Sequence, residues 1–78
     1  MKTLGEWLQK TRKENGITQE EAARRADATH RTWQRWEKNK RTWTLGLFRR
    51  TALAAGATQA DADKAFMRIA MGIADGVQ

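Results

Sequence analysis

The sequence predicts an all-α domain built from five short helices. Three observations lead there. Apolar residues recur at the three-to-four-residue spacing of a helix in five separate stretches, and nowhere with the two-residue alternation of a strand. Threonine stands where a helix N-cap belongs at Thr18, Thr29 and Thr44, and Gly16, Asn39 and Gly56 stand where a helix would stop. No proline breaks any of these stretches, and no linker or internal repeat divides the 78 residues, so residues 1–78 read as one compact domain.

The first helix is expected over 3–15, where Leu4, Leu8 and Thr11 recur at helical spacing with Trp7 beside them. Gly16 fits the left-handed position after it, and Ile17 supplies the apolar contact of a Schellman stop. Thr18-Gln19-Glu20-Glu21 reads as a capping box opening the second helix, which runs to about Ala26. Ala22, Ala23 and Ala26 let another helix approach its axis closely. After a break at Asp27-Ala28, Thr29 caps a third helix through Glu37 or Lys38, and Asn39 takes the left-handed stop. Residues 40–43 connect to a fourth helix, capped by Thr44, that contains Leu45, Phe48, Ala52 and Ala55 and ends at Gly56. The fifth spans about 58–74, with Ala62, Ala65, Phe66, Ile69, Ala70 and Ile73 on one stripe.

Composition excludes several classes. With no cysteine, neither a disulfide framework nor a cysteine zinc site is possible. The single histidine, His30, has no partner at ligand spacing, so no metal or other cofactor is expected. There is no glycine-rich phosphate loop and no helical His-Glu-x-x-His pattern, so an enzyme is not expected. No run of about 18 apolar residues occurs, and no apolar segment follows Lys2, so neither a membrane span nor a signal peptide is expected. A reducing, cytoplasmic setting fits. A domain this small buries a limited core, so compact helix packing or self-association is expected to help.

The charge is localised. The formal total is +6, but residues 24–50 hold nine basic and two acidic residues, a net +7, which leaves −1 for all the rest. A basic stretch interleaved with polar and aromatic residues is the footprint of a polyanion binder, whereas a solvated face would alternate in sign. The second and third helices are joined by about three residues, the length of a helix-turn-helix, whose second helix enters the major groove. On the third helix Trp33 and Trp36 share one face and Arg31 and Arg35 another, with His30 and Gln34 nearby. Indoles therefore face the domain, and hydrogen-bond donors face solvent or a groove.

Residues from about Leu4 to Gly56 resemble the Cro/C1-type helix-turn-helix, or XRE, family, which includes the lambda-repressor-like phage proteins. The carrying residues are Arg12, Gly16-Ile17-Thr18-Gln19, Ala23, Thr29, Trp33, Trp36-Glu37 and Asn39-Lys40. The resemblance implies that Gln19 binds a phosphate and braces the recognition helix, and that Ala23 is the small residue at the helix crossing. It implies that His30, Arg31 and Arg35 touch base edges, that Arg12 and Glu37 form a structural ion pair, and that Lys40 meets a phosphate. Asp27 and Asn39 stand where the family usually has glycine; both tolerate left-handed geometry better than most residues. Trp43 stands near a common proline.

The expected base readers are His30, Arg31, Gln34 and Arg35. Arg31 is the best of them, because arginine bidentate to guanine is the commonest specific contact. Arg35 can instead clamp a phosphate, and His30 can donate to the nucleic acid or simply face water. The expected phosphate contacts are Thr18, Gln19, Thr29, Lys38, Asn39, Lys40, Arg41 and Trp43. Trp33 and Trp36 are read as core rather than base-stacking residues. The fifth helix is expected to do some of each, completing the core and forming a dimer seam through Phe66, Ile69, Ala70 and Ile73, with Met67 and Met71 flanking the stripe. The resulting expectation is a dimeric, sequence-specific regulator of phage or bacterial type that represses transcription from a pseudo-palindromic operator, bound to double-stranded DNA and without a small-molecule effector. The alternative is an antitoxin or adaptor whose main work is protein–protein interaction.

Overall fold

The computed structural model describes residues 3–40 and 42–71. They form five α-helices: α1 Leu4–Glu14, α2 Gln19–Arg25, α3 His30–Glu37, α4 Leu45–Ala54 and α5 Gln59–Ala65, the last running on into a single π-helical turn, Phe66–Ala70. No described residue lies in a strand. No described helix is long and apolar enough to cross a membrane.

One device starts every helix and another stops the first four. Thr3, Thr18, Thr29, Thr44 and Thr58 each sit in extended backbone and accept, through the side chain, the amide N–H three residues on. That bond satisfies a donor the helix itself leaves open. At the far ends Gly16, Asp27, Asn39 and Gly56 take left-handed φ angles of 67°, 57°, 60° and 100°. In each case the following N–H folds back onto the helix, as from Ile17 to the Arg12 carbonyl at 3.0 Å and from Lys40 to the Arg35 carbonyl at 3.0 Å. These are Schellman closures. Asp27 and Asn39 thus occupy the geometry that glycine takes most cheaply.

Two local expectations need correction. The full capping box lies at Thr3 and Glu6, not at Thr18 and Glu21. Thr18 does accept from the Glu21 N–H, but the Glu21 carboxylate turns forward to Arg24 and Arg25 on its own helix. Two guanidiniums within one turn attract it more strongly than one backbone N–H, and they hold its pKa below the ordinary glutamate value, the Arg24 hydrogen bond contributing most. The second correction concerns the fifth helix, whose stripe does not continue as a regular α-helix. In the π turn the Met71 N–H reaches back five residues to the Phe66 carbonyl at 3.3 Å. The wider turn rotates each residue less, so Phe66 and Ile69 stay on the core while Ala70 swings into solvent. Ile73 lies outside the described residues.

Two apolar clusters share a seam. One gathers Leu8 of α1, Ala22, Ala23 and Ala26, Trp33 and Trp36 of α3, and Ala54 and Ala55. The other gathers Leu4, Phe48, Ala52, Ala62 and Ala65, with Phe66 and Ile69 against it. Trp7 and Trp43 pack against both. Phe48 is fully buried and meets the rings of Trp7, Trp43 and Phe66 at centroid distances of 5.2, 5.6 and 5.9 Å. The alanines are what allow seven- to eleven-residue helices to close around such large rings, because small side chains let helix axes approach.

Gly5 fixes how α1 meets α3. A Cβ there would fall 2.6 Å from the Glu37 carbonyl oxygen and 2.7 Å from that of Trp36. The first turn of α1 therefore rests directly on the backbone of the last turn of α3, a contact that only glycine permits. It brings the positive end of one helix against the negative end of the other.

Candidate nucleic-acid interface

The outer face of α3 is organised from beneath by one buried carboxylate. Glu37 closes α3, and its side chain is only 3% exposed. Its Oε2 accepts from Arg12 Nε and from Trp33 Nε1, each at 2.5 Å, and its Oε1 accepts from Gln19 Nε2 at 2.8 Å and from Arg12 Nη2 at 3.3 Å. Arg12 also donates through Nη1 to the Ile17 carbonyl at 2.8 Å. The implied pair of Arg12 and Glu37 is thus present, buried and bidentate, and it joins α1, the α1–α2 turn, α2 and α3 at one point. A buried ion pair survives only when its remaining hydrogen-bonding capacity is met, and here four donors meet it.

The carboxylate also sets the polarity of what lies above it. Because an ionised carboxylate can only accept, Gln19 must present its Nε2 inward, which turns its Oε1 outward. That oxygen takes His30 Nε2 at 3.1 Å and Gln34 Nε2 at 3.4 Å. His30 therefore carries its proton on Nε2, and its Nδ1 makes no hydrogen bond among the described residues. Gln19 serves as a brace between the start of α2 and the start of α3, with one amide N–H committed to Glu37 and so not offered to a phosphate.

The basic residues of the middle segment divide into two groups. Arg24 and Arg25 are paired with Glu21, Arg49 with Asp63 at 2.6 Å, and Arg50 donates to the Ala26 carbonyl at the end of α2. Arg31, Arg35, Lys38 and Lys40 are exposed and pair with no carboxylate among the described residues. With Gln34, they line one shallow concavity that no acid enters. Among the described residues of the middle segment, the unneutralised charge therefore sits on α3 and the loop after it, a concentration that residue counting over 24–50 does not resolve.

The described residues expected to contact phosphate stand at the starts of α2 and α3 or at and after the end of α3. The Thr18 and Thr29 hydroxyls cap their own helices, and Thr29 also donates to Thr32 Oγ1 at 2.9 Å. Asn39 is exposed, and its Oδ1 accepts the Trp43 indole N–H at 2.8 Å, which leaves its amide N–H groups directed elsewhere. Trp43 itself is half-buried, set edge-on against Phe48 at 89°, so its N–H is spent within the chain and its main work is packing. Arg41 lies outside the described residues. Of the expected dimer seam, Phe66 and Ile69 serve the chain's own core and Ala70 is exposed; among the described residues Leu53, Met67 and Met71 are the large apolar side chains more than half exposed.

Sequence reasoning missed Gly5 and the full connectivity of Glu37, because both depend on residues far apart in the chain meeting in space. It also missed Thr32, whose only local signal was its spacing three residues after a cap. Among the described residues no group of three His, Cys, Asp or Glu side chains is placed to hold a metal ion. Comparison with protein-family models, with curated proteins and with solved structures found no match to this chain.

Proposed function

We propose that this chain is a sequence-specific binder of double-stranded DNA, a helix-turn-helix regulator of Cro/C1 type, with α3 as the helix that enters the major groove. The observation that carries this reading is the acid-free concavity lined by Arg31, Gln34, Arg35, Lys38 and Lys40 on a helix whose opposite face is buried. A major groove about 12 Å wide accepts one α-helix with its side chains. Arg31 and Gln34 are exposed on the outward face, where a guanidinium suits guanine O6 and N7 and a carboxamide suits adenine N6 and N7. His30 offers Nδ1 as an acceptor when neutral and as a donor when protonated. Arg35 and Lys38 border the same face, and Lys40, Asn39 and the two helix starts at Thr18 and Thr29 supply phosphate contacts that fix register without reading sequence.

The buried Glu37 hub supports this chemistry by removing freedom from the reading surface. Gln19 is oriented by Glu37, and His30 and Gln34 by Gln19, so these side chains meet a duplex already aligned. One recognition helix reads only a few base pairs; a two-fold dimer on a pseudo-palindromic site would place two such helices about 34 Å apart. Bound at a promoter in the cytoplasm, such a dimer represses by excluding polymerase, and protein concentration sets its occupancy.

Selection of binding sites from random duplexes tests the proposal: enrichment of a symmetric site supports it, and recovery of no site above background overturns it. With that site in hand, Arg31→Ala should cost about 1–3 kcal/mol and relax one base position, whereas Lys40→Ala should weaken all sequences alike and reduce the salt slope by about one. A second reading, a protein-binding adaptor or antitoxin, draws on the exposed Leu53, Met67 and Met71. Under that reading, neutralising Arg31 and Arg35 leaves partner binding intact.

A further inference from the structure

We infer that Trp36, a residue of the core, also supplies a hidden donor to a phosphate seat on one flank of α3, the seat being completed by Thr32, Arg35 and Lys40. The inference rests on the duplex-binding reading above and adds a contact to it. Trp36 is 5% exposed, yet its indole Nε1 has no hydrogen-bond partner, the one such buried side-chain atom among the described residues. Two neighbouring indoles are satisfied, Trp33 by Glu37 and Trp43 by Asn39. Buried donors are nearly always paired, so an unpaired one in a packed core asks for a ligand atom that the free chain lacks.

Trp36 borders two concavities, and their chemistry differs. The larger runs between the α2–α3 turn and α4 and is lined by Glu20 and Asp27, while its arginines are already engaged, Arg24 by Glu21 and Arg50 by the Ala26 carbonyl. An anion is disfavoured there. The smaller is formed by Thr32, Arg35, Trp36 and Lys40, holds no carboxylate, and has two cations without a partner. Thr32 Oγ1 already accepts from Thr29, so its own proton is left to donate. Each of these four side chains keeps a donor without an acceptor, and a phosphodiester oxygen pair is a group that can accept from several such donors at once.

The position fits a duplex as well. Thr32 and Trp36 are four residues apart on one flank of α3, whereas Gln19 at the start of α2 abuts His30 and Gln34 on its other side. A helix lying in a groove meets a strand of backbone along each flank, so α3 would be held from both sides. The indole is sealed in the free chain, and the phosphate reaches it as the long side chains of Lys40 and Arg35 turn onto the incoming oxygens.

The test is a titration of the uniformly ¹⁵N-labelled full chain with a random-sequence duplex, following the four indole N–H resonances, assigned through bonds. The Trp36 resonance should move downfield on binding by more than those of Trp33 and Trp43, and Lys40→Met should diminish that shift. Trp36→Phe should lower affinity for all duplexes by the same factor, about tenfold for one lost charge-assisted bond. If α3 backbone resonances respond to the duplex while the Trp36 indole stays still, the seat is refuted and the DNA-binding reading stands. If no resonance responds to any duplex, both fall together.

Discussion

Replacing Arg12 with methionine would keep the aliphatic stem of the side chain and remove the cation from the buried Glu37 carboxylate. The two side chains are 8% and 3% exposed, so water cannot replace the lost guanidinium without opening the junction of α1 with α3. Leaving a buried charge uncompensated costs about 3–5 kcal/mol. A domain of this length is worth about 4–12 kcal/mol in total, at roughly 0.05–0.15 kcal/mol per residue. Since 1 kcal/mol moves the melting temperature by about 4–8 °C at this size, Arg12→Met should lower it by roughly 12–40 °C. Thermal and urea unfolding followed by far-ultraviolet circular dichroism measure the loss directly. The double variant with Glu37→Met should be less destabilised than the sum of the two single variants by about 1–3 kcal/mol, because the orphaned carboxylate is then gone. A loss below about 1 kcal/mol for Arg12→Met alone would show that the pair is dispensable, and the reasoning that makes Glu37 the hub of the reading surface would fail with it.

Three further outcomes follow from the same geometry. Gly5→Ala should destabilise by about 1–3 kcal/mol in spite of alanine's better helix propensity, worth roughly 1 kcal/mol, because the added Cβ meets backbone carbonyls at 2.6 and 2.7 Å; an unchanged unfolding midpoint would contradict the close approach of α1 to α3. Asp27→Gly should stabilise by a few tenths up to about 1 kcal/mol, since it relieves a left-handed φ of 57° and removes a negative charge from the C-terminal end of α2; a lower melting temperature would count against this. Asp63 is held below its ordinary pKa of 3.8 chiefly by the hydrogen bond from Arg49, so its contribution to stability is fully present above that value and is lost as pH falls through the depressed one. Asp63→Asn should therefore be less stable than the parent at neutral pH, with the gap closing in acid, and a gap independent of pH would rule the pair out as its source.

How far the fold could be read in advance depended on how local the deciding forces are. A threonine cap, a left-handed stop and a three-to-four-residue apolar rhythm act within a few residues, so the helix boundaries at Thr18, Thr29, Thr44 and Gly56 were legible before any coordinates. The capping box went to Thr3 rather than Thr18 because Glu21 had a choice between a backbone donor and two arginines, and sequence alone does not rank those. The π turn at Phe66–Ala70 escaped because nothing in a helical stripe announces an extra residue per turn; it is the contact of Phe66 with Phe48 and the second cluster that makes the wider turn worth forming.

The same division runs through the candidate site. That Arg31, Gln34 and Arg35 would share an outward face, with Trp33 and Trp36 inward, follows from helical spacing alone, and the amino-acid order therefore determined five helices and the orientation of the third. Which arginines remain unneutralised was decided by pairs such as Arg49 with Asp63 and by the docking of Arg50 on Ala26. The convergence of Arg12, Gln19 and Trp33 on Glu37, and the unpartnered buried indole N–H of Trp36, likewise belong to the packed molecule. Local backbone preferences are written in neighbouring residues, whereas the strength of a charge or a hydrogen bond depends on burial and on partners that only the folded chain brings within 3 Å.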